Sequence, residues 1–172
     1  MNQAIQRSRE SPRRRIICPF HKTESDSLQR MLNVIQPYSY IQPHRHSDPP
    51  KAESILVVRG SIGYVTFDDL GTPNHLCVLG ANAEWVGVDT DPGIFHTFFA
   101  LEEDTVLFEV KPGPYERSVD KDFASWAPKE GTDAARAYME ELYRACEEKR
   151  SRSAACVSPS APMAPLQNRP SP

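Results

Sequence analysis

No stretch of the 172 residues approaches the roughly 20 consecutive apolar residues that a membrane-spanning helix needs. The opening MNQAIQRSRESPRRR has no apolar core of the kind a secretory leader carries. Cysteine is sparse: Cys18, Cys77, Cys146 and Cys156 are scattered, with no CxxC pair, which argues against both a zinc ribbon and a disulfide framework. A reduced, cytoplasmic setting is therefore expected. Positive charge is lacking overall. The net charge of −3 gives no bulk reason to expect a nucleic-acid partner. Only Arg7, Arg9, Arg13, Arg14 and Arg15 crowd together, as a solvated mobile arm or, on a sharper reading, a contact for phosphate or anionic sugar.

What is present divides the chain in four. Residues 1–22 form the basic N-terminal arm, and 23–131 a β-rich domain with a closing C-terminal segment. Residues 132–150 form a helix, and 151–172, rich in Ser, Pro and Ala, a disordered tail. The β texture lies in seven short runs, LQRMLNVI, SYIQPHRH, ESILVVR, SIGYVTF, AEWVGV, IFHTFFAL and TVLFEVK, separated by Pro-, Gly- and Asp-containing turns. Such spacing predicts an all-β sandwich or barrel without crossover helices. Thr132 is placed to cap the helix, whose Ala135, Tyr138, Met139, Leu142 and Cys146 recur at helical intervals.

Two of the five histidines, His44 and His46, sit one residue apart in an extended segment. On a strand they share a face, about 6.5–7 Å apart, and Tyr40 and Gln42 fall on that face too. Glu53 opens the next run, and His96 follows the turn Asp91-Pro92-Gly93. In an antiparallel barrel such distant residues can line one mouth, giving three imidazoles and a carboxylate for a divalent transition metal.

The patterns His44-x-His46…Glu53…Gly60 and Pro92-Gly93-x-x-His96 resemble the two motifs of the cupin superfamily. There are two departures: six residues, SDPPKA, separate His46 from Glu53 where cupins have three or four, and Ala100 stands where an asparagine is frequent. From about Ser11 to Gly131 the chain resembles the WbuC-type cupin metalloproteins, a bacterial family often encoded among surface-polysaccharide genes. The segments that carry this are SPRRR, Phe20-His21, LQRMLN, YIQPHRH, VVRG, FDDLG, PGIFHTFFALEEDTVLFEVKPGPY and DKDFASWAPKEG. The resemblance implies a single cupin (jelly-roll) β-barrel that binds a metal, and it brings no settled substrate or reaction.

The metal ligands expected are thus His44, His46, Glu53 and His96, holding Fe, Mn, Ni, Zn or Co with one or two positions open to a small-molecule ligand. Tyr40, Gln42, Arg30, Lys111 and His21 are the candidate substrate-binding residues, and no residue has a clear catalytic role. Asn33, beside Arg30 in the same run, either points outward or meets a ligand. Glu109 and Lys111 either pair at a sheet edge or line the cavity. Tyr115 and DKDFASWAP form a closing flap in which Phe123 and Trp126 are packing anchors, and His75 is a surface residue. The expected function is a small-molecule metalloenzyme, isomerase- or epimerase-like on a carbohydrate derivative. The alternatives are a non-catalytic metal-dependent binder and a metal-free barrel. A homodimer paired through sheet edges is expected, with neither membrane nor nucleic acid as partner.

Overall fold

The computed structural model of the chain describes residues 1–116 and 118–155, the last five as backbone alone. Two five-stranded antiparallel sheets face each other. Sheet A holds, in spatial order, β1 (Arg15–Pro19), β2 (Leu28–Ile35), β9 (Thr105–Pro112), β4 (Glu53–Arg59) and β7 (Gly87–Thr90). Sheet B holds β10 (Asp122–Phe123), β3 (His44–Arg45), β8 (Phe95–Ala100), β5 (Ser61–Phe67) and β6 (Pro73–Gly80). Setting aside the edge strands β1 and β10, the order 2-9-4-7 over 3-8-5-6 is that of a jelly roll, the arrangement cupins share. Among the described residues no helix is long and apolar enough to cross a membrane.

Alternation sorts the side chains into two cores. The inward residues Ile35, Ile55, Ile62, Phe98, Ala100 and Leu107 fill the space between the sheets. The outward residues Val65, Phe67, Phe95 and Phe99 of sheet B meet Ala135, Met139, Leu142 and Cys146 of α2 (Asp133–Ala155). Because the helix covers this face, all six residues of β8 are buried, which is why FHTFFA reads as an almost unbroken apolar run. Thr132 caps α2, its Oγ1 accepting from the Ala135 amide at 3.2 Å.

The structure departs from the sequence reading at the edges. Residues 1–22 are no loose arm: Asn2–Glu10 form helix α1, which packs Ile5 on Val34 and Val106 of sheet A, and β1 pairs with β2. Four of the five clustered arginines, Arg9, Arg13, Arg14 and Arg15, are tied down. Arg9 meets Asp104 through both of its bonding nitrogens, at 2.9 and 2.5 Å, and Arg13 and Arg15 share Glu130. Of SYIQPHRH only His44–Arg45 is strand, whereas PNHLCVLG, outside the seven expected runs, forms β6. The helix after Thr132 runs to Ala155, five residues past the expected end. The expected disorder of the tail concerns, beyond Ala155, residues 156–172, which lie outside the described residues.

The contact between α2 and sheet B is close at Gly63, where an added Cβ would lie 2.5 Å from Phe99 Cζ and 2.8 Å from Cys146 Sγ. Both neighbours are fully buried and have little room to yield. Gly63→Ala is expected to destabilise the fold by about 1–3 kcal/mol. This would appear as a thermal midpoint lower by roughly 2–4 °C per kcal/mol, and an unchanged midpoint would show that the helix is not seated against this strand.

Candidate metal centre

The four expected ligands come together. One donor atom from each of His44, His46, Glu53 and His96 lies within 4.8 Å of all the others, and every one of these residues is buried. His44 sits directly opposite His96 across the β3–β8 pair, their ring centroids 4.7 Å apart. His46 follows β3, and Glu53 reaches across from β4 of sheet A. The centre therefore bridges the two sheets. The additional residues between His46 and Glu53 fold back on themselves through the Ser47–Pro50 bridge, so Glu53 still opens its strand facing the imidazoles.

Each ring is oriented by a main-chain carbonyl. His44 Nδ1–H donates to Gln42 O at 3.0 Å, His96 Nδ1–H to Ile94 O at 2.9 Å, and His46 Nδ1–H to Asp120 O. With its proton on Nδ1, a neutral imidazole presents only a lone pair at Nε2. His46 Nε2 is buried with no hydrogen-bond partner. His96 Nε2 lies 3.2 Å from Glu53 Oε2, two acceptors facing each other. Such an arrangement needs positive charge between the groups. Adding a proton to every ring would set three cations against one another, whereas one divalent ion satisfies all four donors. Ligands about 2.1 Å from an ion lie about 3 Å apart when adjacent and about 4.2 Å when opposite, close to the spacing here.

The charges agree with that reading. Burial, then the charge of Lys121, holds the His44 imidazole well below its ordinary range and so in the neutral form a metal requires. Burial disfavours the Glu53 carboxylate, and the Lys111 ammonium, 3.7 Å away, favours it. Lys111 is likewise kept above its ordinary value: burial pulls it down, and Glu53 and Asp120 more than compensate.

The centre opens on a cavity of about 580 Å³ between the sheets, lined by His44 and Glu53 together with Asn33, Glu109, Lys111 and Lys121. Of the candidate substrate residues, Gln42, Lys111 and His21 line it. Gln42 Nε2 donates to Ala124 O at 3.1 Å, and His21 Nδ1 accepts from the Arg30 amide at 3.2 Å. Arg30 is a correction. On β2 the inward positions are Gln29, Met31 and Asn33, so Arg30 stands exposed on the outer face of sheet A. Tyr40 is another. Residues 39–43 are not strand, alternation does not hold there, and Tyr40 turns into the core under α2, its hydroxyl donating to Pro128 O at 2.8 Å.

Sequence reasoning missed Asp120 and Lys51. Asp120 is buried, accepts from Lys111 Nζ at 2.8 Å and Lys51 Nζ at 3.3 Å, and supplies the carbonyl that orients His46. No local pattern marks it, because its partners lie elsewhere in the chain. Phe123, expected to be an anchor, is 51% exposed with its ring 6.0 Å from that of His44, whereas Trp126 does pack on Phe67 and Phe95. His75 is exposed on β6.

A family profile described as a domain of unknown function (DUF6016) matches residues 1–79. No curated protein matches the chain. Among solved structures, it is similar to the capsular polysaccharide assembling protein CapF from Staphylococcus aureus, with 20% identity over 61% of this chain and 28% of that one, at a TM-score of 0.48. It is also similar to oxalate decarboxylase from Bacillus subtilis, with 19% identity over 58% of this chain and 24% of that one, at a TM-score of 0.45. The chain thus spans about a quarter of the length of these proteins. The jelly-roll assignment rests on strand order, not on these likenesses.

Purified protein is expected to carry close to one transition-metal ion per chain after growth in metal-replete medium, as read by elemental mass spectrometry. His46→Ala should remove most of it and His75→Ala none; equal loss in both would reject this ligand set.

Proposed function

We propose that the chain is a metal-dependent enzyme of the cupin type acting on a small carbohydrate-related molecule. The observation that carries this is the group of three Nε2 lone pairs and one carboxylate opening onto a cavity with ionisable walls. A bound divalent ion would act there as a Lewis acid toward a substrate oxygen. The remaining work falls to the chain. Asn33 Nδ2 donates to Glu109 Oε1 at 2.7 Å, leaving Oε2 of Glu109 free to hold or accept a proton. Burial first, and then the nearby Glu53 carboxylate, pushes Glu109 up to about 7, the range in which a carboxyl both takes and returns a proton at neutral pH. Asp120 and Lys51 hold the flap over the cavity and limit the entry of water.

The WbuC-type assignment, a role in surface-polysaccharide biosynthesis and a cytoplasmic setting are supported by the sequence resemblance and composition. A homodimer is supported by the apolar outer face of β4, where Leu56 and Val58 are 49% and 46% exposed. Light scattering should then give twice 19.4 kDa, and a monomer mass would reject the pairing.

Metal-loaded protein screened against sugar derivatives should show metal-dependent turnover. If Glu109 acts as a base it must be ionised, so kcat/KM should rise with pH as Glu109 loses its proton and level off above that point. Glu109→Gln should abolish that limb and lower the rate by about 10²–10⁴-fold with metal content unchanged. A non-catalytic binder, the second reading, would bind such compounds without turning any over.

A further inference from the structure

Two polar groups of the cavity wall stand apart from the others. Lys111 is held by Asp120 and Glu53, and Arg13 and Arg15 are held by Glu130. Lys121 lines the same cavity and has no hydrogen bond or ion pair among the described residues. Burial, and then the like charge of Lys111, pulls it below the ordinary lysine range against the opposing pull of Glu53, Glu109 and Asp120, none of which pairs with it directly. The second group is Asn33, which is 3% exposed. Its amide nitrogen is fixed by Glu109, and its Oδ1 is buried without a partner. An orphaned acceptor costs about 1–3 kcal/mol unless something donates to it.

The unmet needs are therefore one anion and one hydrogen-bond donor, in a space of about 580 Å³. Charge balance points the same way. A divalent ion beside Glu53 keeps a positive charge, Asp120 offsets Lys111, and Lys121 is offset at most by Glu109, so the wall around the metal stays positive whether Glu109 is ionised or protonated.

We propose that the cavity takes a small polyhydroxy carboxylic acid, its carboxylate facing the Lys121 ammonium and a hydroxyl donating to Asn33 Oδ1. A carboxylate supplies the missing counter-ion, a hydroxyl supplies the missing donor, and oxygens of the same molecule can reach the metal. This deepens the reading of the cavity as a metal-dependent ligand site and rests on it.

The test uses the full chain loaded with zinc, which is redox-silent, with metal content measured on every sample. Calorimetric titration compares gluconate, its uncharged counterpart glucitol, hexanoate (the same chain length without hydroxyls) and inorganic phosphate. Gluconate should bind at least about tenfold more tightly than any of the others. Lys121→Met should weaken gluconate by about tenfold or more, and Lys121→Arg should restore most of it, both with full metal content and an unchanged melting curve. Gluconate binding equally well to Lys121→Met would overturn the proposal. So would hexanoate matching gluconate, or phosphate binding where gluconate does not. Metal-loaded protein that binds none of the four would overturn this inference and leave the metal centre standing, whereas protein that takes up no zinc would overturn the centre itself.

Discussion

Three main-chain carbonyls decide the chemistry of this barrel. By accepting hydrogen bonds from the Nδ1–H groups of His44, His46 and His96, they turn every Nε2 lone pair toward Glu53 and leave four acceptors converging. Buried acceptors with nothing between them repel, so the arrangement holds together only around positive charge. Lys111, 3.7 Å from Glu53, supplies part of it from one side. The His44 ring, kept neutral by burial and by Lys121, supplies none. A cation at the centre is what the geometry calls for, since the low dielectric of a buried site makes unpaired acceptors costly.

Two of the three carbonyls are local, each two residues before the histidine it holds, and the third comes from Asp120 in the flap. Since the Asp120 carboxylate also accepts from Lys51 and Lys111, one residue ties two buried lysines to the orientation of His46. The N-terminal arginines add contacts to the segment that follows. Arg13 and Arg15 meet Glu130, and Arg15, its side chain only 9% exposed, also donates to Tyr40 O at 2.9 Å. Exposed ion pairs contribute little singly. This pair shares one carboxylate and is partly desolvated, so it fixes position more than it adds stability.

The metal ligands were legible because they obey spacing rules: an HxH, a glutamate at the head of a strand, and a histidine just after a Pro-Gly turn. Strand alternation was a weaker guide. It assumes regular backbone, which fails at 39–43 and so sends Tyr40 to the outer core while Ile41 and Gln42 both reach the cavity. It also fixes period but not phase, so Arg30 was chosen where its neighbours Gln29, Met31 and Asn33 face inward. Helix α1 escaped notice because only Ile5 and Ser8 of its nine residues are buried, too few to mark a face. Strand β6 begins with three exposed positions, the first of them a proline, the composition of a turn. Lys51, Asp120 and Lys121 left no trace in local sequence, since buried charge is meaningful only through partners that the fold supplies.

The two cores do more than stabilise the barrel. Strand β8 carries His96, Phe98 and Ala100 inward and Phe95, Thr97 and Phe99 outward, so one rigid backbone serves the metal centre on one face and the seat of α2 on the other. Thr97 Oγ1 donates to Ile41 O at 2.6 Å, tying that backbone to the segment that leads into His44 and His46. Close-packed interiors transmit displacement because they have few voids to absorb it. The helix beyond the barrel, which touches no ligand, therefore helps set the distance between His96 and its partners, and the outer core belongs to the architecture of the site.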